Sequence, residues 1–190
     1  MAGLIIAPFG IAAVVGLWIV AFNHTEGGTS GVTKDASNPH GYTLHTDAKS
    51  GFALALPPGW QVRAVPSSTP ELRFLAGNSA QGSPTFASVA VTVDDAHRVV
   101  SLTQYAAANI AQLEQGGHVV NEERVDIPAG PAMKLTRDAT TPTGVAFFET
   151  FYVLVHNHKG FAVTLVVQQK QAATVDAAFI KMIASFRFTS

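Results

Sequence analysis

The chain contains no cysteine. This excludes disulfides, thiolate metal sites and lipid attachment through a cysteine acceptor. Charge is also scarce. Only 13% of the 190 residues are Asp, Glu, Lys or Arg, about half the share usual in a soluble domain. Residues 1–25 carry none of the four. The remaining charges are interspersed in sign and sum to −1, so neither a nucleic-acid partner nor a polybasic membrane-surface mode is expected. Catalytic signatures are missing as well: there is no G-x-S-x-G nucleophile elbow, no P-loop and no dinucleotide fingerprint.

The chain does have an uninterrupted apolar run, Gly3 to Phe22. At roughly 1.5 Å per residue, about 20 residues of helix match the hydrocarbon core of a bilayer. Trp18 and Phe22 stand near one end of the run, as interfacial aromatics do. A secretory h-region is usually about 7–15 residues, so residues 1–22 read as one transmembrane anchor or uncleaved signal. Cleavage near Ile19-Val20-Ala21 is the alternative. A buried core helix is disfavoured because the run has no polar face. Residues 23–41, rich in Gly, Ser, Thr, Asn and Pro, read as a flexible linker. A globular domain at 42–190 then stands outside the cytoplasm on a single-pass membrane protein.

Within that domain two helices are signalled. Ser101-Leu-Thr-Gln104 is a capping box, and Leu102, Tyr105, Ala106, Ile110 and Leu113 form one apolar stripe. Gly116-Gly117 stops that helix. A second helix is expected from Thr174 to Ser185, with Asp176 in its first turn and Val175, Phe179, Met182, Ile183 and Phe186 buried. Seven strands are expected at Tyr42–Thr46, Phe52–Leu56, Phe86–Val93, Val119–Ile127, Ala132–Arg137, Val145–Val155 and Phe161–Val167. Val145–Val155 is expected to be central, because it is apolar on both faces. Hairpin-length connections predict an α+β domain, an antiparallel β-sheet packed with helices.

The strand Phe52–Leu56 runs into Pro57-Pro58-Gly59-Trp60. Proline ends the hydrogen-bonding ladder, glycine permits a sharp turn, and Trp60 can fold back over the strand end. This hairpin is one of a series of pieces. Gly51 to Trp60, the valine strand Phe86 to Val93, Ser101 to Tyr105, Gly130 to Leu135, the aromatic hairpin Val145 to Val167 and the closing Ser185-Phe186 occur in that order. Together they resemble the PsbP-like α/β/α sandwich superfamily over nearly all of residues 42–190, and in particular its bacterial DcrB-like and LpqN-like envelope branch. The resemblance implies a fold, and a non-enzymatic binding or accessory role on a protein complex or ligand. It implies no cofactor. The chain departs from the lipoprotein members in lacking the acceptor cysteine, which leaves residues 3–22 as the anchor to the membrane.

Candidate site residues are few. Trp60, Phe148 and Tyr152 are a candidate ligand or partner surface, on which a small-ligand carrier would also depend. His156 and His158 stand at i and i+2, on one face if the strand continues, and would supply half a zinc site to a metal-dependent envelope hydrolase. No third ligand is placed by spacing. Glu122-Glu123 with Asp126 reads as a solvated acidic strand, and Asp94-Asp95 as a turn before the helix. His40, His45 and His118 are scattered without a visible partner.

Overall fold

A computed structural model describes residues 38–78, 86–95, 99, 101–115, 119–140 and 144–189. The apolar run, most of the linker, His97, Gly116-Gly117 and His118 lie outside these residues. Among the described residues no helix is long and apolar enough to cross a membrane.

Among the described residues ten strands form two antiparallel sheets. The small sheet has the order β1-β2-β10, from β1 (Thr43–Asp47), β2 (Phe52–Leu56) and β10 (Arg187–Phe188). The large sheet runs β3-β4-β5-β9-β8-β7-β6. Its members are β3 (Gln61–Val62), β4 (Leu72–Gly77), β5 (Ala87–Asp94), β6 (Val119–Ile127), β7 (Gly130–Thr140), β8 (Ala146–His156) and β9 (Lys159–Gln168). Helix α1 (Leu102–Leu113) follows β5. Helix α2 (Ala172–Ser185) follows β9 through a single 3-10 turn, Gln169–Gln171. The expected α+β class and antiparallel pairing are observed. One expected sheet is instead two; β8 is an interior strand as expected, paired with β7 and β9, and β9 holds the middle position.

Strand alternation sorts the large sheet into two faces. Phe161, Val163, Leu165 and Val167 of β9 join Val89, Val91 and Val93 of β5 in one core with Phe52, Leu54 and Leu56 of β2 and Phe179, Met182, Ile183 and Phe186. Phe151 and Val153 of β8, Leu135 of β7 and Ala162 of β9 face the other way, against Tyr105, Ala106 and Leu113 of α1. A helix therefore covers each face. Ser101 caps α1, its hydroxyl accepting from the Gln104 amide at 3.2 Å, so the forward half of the expected capping box forms. Helix α2 starts two residues earlier than expected, and Asp176 lies beyond its first turn. The buried residues expected on both helices are otherwise in place.

Ser185 explains how the small sheet is held. Its hydroxyl donates to the Met182 carbonyl at 2.7 Å and accepts from the Ala55 amide at 2.9 Å. The end of α2 thus satisfies a β2 donor that the two-residue strand β10 does not reach. The Pro-Pro-Gly-Trp corner is also as expected. Gly59 takes φ +82°, the Trp60 amide bonds back to the Pro57 carbonyl at 3.2 Å, and the half-buried indole meets Phe179 edge-on at 6.1 Å.

Candidate functional site

Two turns far apart in the chain meet at one end of the molecule. The β1–β2 turn is tight because Asp47 holds it twice. Its carbonyl accepts from the Gly51 amide at 2.8 Å, and its Oδ1 accepts from the Ser50 amide at 2.9 Å. Gly51 sits at φ +80°, where a side chain would be strained. The β8–β9 hairpin pairs His156 with Lys159, leaving Asn157-His158 as a two-residue turn. Both turn residues are left-handed, at φ 48° and 62°, as the right-handed twist of a hairpin demands. Glycine is the usual residue at the second position.

Strand β10 ties the two turns together. The Thr189 amide donates to the Gly51 carbonyl at 3.0 Å. The Phe188 ring lies parallel to the His156 imidazole, 4.0 Å away, and meets Phe161 at 4.9 Å. Between the turns is a cleft of about 70 Å³, lined by Lys49, Ser50 and Gly51 on one side, His156 and Lys159 on the other, and Phe161. Among the described residues no carboxylate lines it. Among the described residues neither Lys49 nor Lys159 has an ion-pair partner.

This geometry corrects the reading of His156 and His158 as neighbours on one strand face. Strand β8 ends at His156, and His158 is in the turn, its carbonyl accepting from the Val99 amide at 2.9 Å. Residues in a left-handed turn do not follow strand alternation. Among the described residues no three His, Cys, Asp or Glu gather closely enough to hold a metal ion. Two lysines beside His156 also oppose a divalent cation there.

The aromatic trio lies elsewhere. Phe148 and Tyr152 of β8 point to the α2 side and stand half-buried at the margin of the main core, as does Trp60. Among the described residues no ring contact joins Trp60 to either; Trp60 meets Phe179 instead. Burial raises the Tyr152 pKa, and the carboxylates of Asp176 and Glu123 add to the effect. The margin is therefore aromatic with an acidic rim. Glu122, Glu123 and Asp126 are exposed on the edge strand β6. Asp95 pairs with Arg73 of β4 at 3.0 Å.

Lys49 and Lys159 were not candidates in the sequence. Their only local signal is a lysine one or two residues before a turn glycine, in Lys49-Ser50-Gly51 and Lys159-Gly160. Many exposed turns read the same way, and nothing local indicates that the two meet. A buried ion pair was also missed. Arg137 of β7 and Glu149 of β8 are register partners, with Nε to Oε2 at 2.9 Å. Burial raises the Glu149 pKa, against the opposing pull of Arg137.

No family model matches the chain, and no curated protein matches it. Solved structures do. Cyanobacterial PsbP (CyanoP) from Synechocystis sp. PCC 6803 superposes with a TM-score of 0.56 at 15% identity, over 82% of this chain and 97% of that one. LpqN, involved in cell envelope biogenesis of Mycobacterium tuberculosis, gives 0.53 at 11% identity, over 85% and 91%. The Ran-binding protein Mog1p of Saccharomyces cerevisiae gives 0.53 at 11% identity, over 78% and 96%. At such identities the shared property is architecture. With a helix on each face of an antiparallel sheet and coverage of nearly the whole of each neighbour, this chain has the PsbP-like fold.

Proposed function

We propose that this protein is a non-enzymatic binding or accessory domain, held at the cell membrane by residues 3–22, with residues 42–190 outside the cytoplasm, and acting on an envelope or membrane protein. The observation that carries this reading is the fold. It is shared with a Ran-binding protein and with a protein involved in cell envelope biogenesis. The apolar run and linker of the sequence support the placement. The half-buried Phe148 and Tyr152 beside α2, with Trp60 across the same core, supply the surface. Aromatic residues that are partly exposed and anchored in a core are favoured interface anchors.

The test is photo-crosslinking in intact native cells with the tagged full-length chain. A photoreactive residue replaces Tyr152 in one strain and the exposed Glu122 of β6 in another. One dominant membrane or envelope protein captured from position 152, and not from 122, is the expected result. No reproducible partner from position 152, with the protein confirmed in the membrane fraction, would overturn the reading.

A further inference from the structure

We infer that the cleft between the β1–β2 and β8–β9 turns binds a phosphate group, through the ammonium groups of Lys49 and Lys159. Three observations converge. The cleft, at about 70 Å³, is larger than the roughly 10–15 Å³ that one water needs. Among the described residues its formally charged lining is two lysines and no acid. The one carboxylate of the β1–β2 turn, Asp47, is engaged by the Ser50 amide. Two like charges facing one cavity repel each other unless an anion lies between them. A phosphate monoester carries about −1.5 to −2 charges near neutral pH and three acceptor oxygens, so it matches two lysines better than a single carboxylate does. Lysine binds phosphate as a point charge and tolerates approximate geometry.

The walls are held in place. The Asp47 bonds fix the Lys49 turn, and β10 fixes both turns through Gly51 and through the Phe188–His156 stack. The left-handed Asn157-His158 pair fixes the geometry of the β8–β9 turn. The cleft lies at the end of β1 away from Thr43, the end at which the linker joins. The phosphate can belong to a soluble ligand or to a phosphomonoester lipid headgroup, because both present the same group to the two lysines.

The experiment uses the full-length chain, labelled for amide NMR, in neutral detergent micelles. Inorganic phosphate is titrated first; phosphatidic acid, whose headgroup is a phosphate monoester, is then doped into fresh micelles. Saturable shifts at Ser50, Gly51 and Lys159 are expected. Lys49→Gln and Lys159→Gln should each weaken the apparent affinity about tenfold, while Lys170→Gln, exposed on the 3-10 turn outside the cleft, leaves it unchanged. A response to inorganic phosphate assigns a soluble source, and a response to the lipid alone assigns a headgroup. No saturable shift with either probe, or equal weakening by Lys170→Gln, would overturn the inference. Neither outcome bears on the partner surface at Tyr152, which lies apart from the cleft lining.

Discussion

His45 shows how tertiary packing changes a residue's chemistry. In the sequence it is one of several histidines without a partner. In the fold it is buried at 9% exposure, its ring 4.3 Å from that of Phe74. Burial lowers its pKa, and Asp47 opposes this only in part. The folded state therefore prefers the neutral ring, and between the lowered value and the ordinary 6.5 the unfolded chain binds more protons. Stability from this group is fully present above about pH 6.5 and is lost as the pH falls through the folded value. The slope is at most about 1.4 kcal/mol per pH unit. Thermal melts from pH 7.5 to 5 should show a steeper loss for the wild type than for His45→Gln. Parallel curves would show that the imidazole is not desolvated.

At the scale of elements, the join between α1 and the sheet depends on Arg137. Its guanidinium bonds to Glu149 and donates from Nη1 to the Leu113 carbonyl at 2.8 Å, at the end of α1. A helix C-terminus leaves carbonyls without intrahelical partners, and a cation there also suits the dipole. Arg137 is 1% exposed, so Arg137→Ala strands a buried carboxylate and should cost about 3–5 kcal/mol. The paired Arg137→Met/Glu149→Leu variant removes both charges and should recover most of that loss. Urea unfolding measures both; a double variant no better than the single would show that the guanidinium acts by packing alone.

The elements differed in how legible they were, for identifiable reasons. Helix α1 was readable because its cap and stripe are local. The β1–β2 and β8–β9 hairpins were readable because their turns carry Gly and Asn. Strand β4 carries no such local signal: LRFLAG is buried at five of six positions and shows no alternation to mark it. Strands β3 and β10 have two residues each. They exist as strands only because a partner lies alongside. Of the candidate site, Trp60 was readable as a corner. His158 does not follow period two because the strand ends at His156. Lys49 and Lys159 have no local pattern that distinguishes them from other turn lysines.

For the whole molecule, β10 is the tie between the two sheets. It pairs with β2, and Phe188 packs on Phe186 and Phe161 of the main core and on His156. A chain ending at Phe186 keeps the fully buried Phe186 ring but loses this tie. Losing one half-buried aromatic and its backbone pairs should cost about 1–3 kcal/mol, or roughly 2–12 °C in a domain of this size. The faster amide exchange that follows should be confined to the β1–β2 and β8–β9 turns. An unchanged melt and exchange pattern would refute the tie.

The sequence by itself determined what is local and periodic: the class, both helices, the long hairpins, the corner at Trp60, and the absence of thiol chemistry. Alternation and capping are properties of neighbouring residues, so no other part of the chain is needed to read them. The tertiary structure alone decided that there are two sheets, that Arg137 and Glu149 form a buried pair, and that Lys49 and Lys159 face one cleft. Each of these is a meeting of residues distant in the chain. Its energy comes from burial and from opposed or like charges brought into proximity, and a sequence pattern carries no record of that proximity.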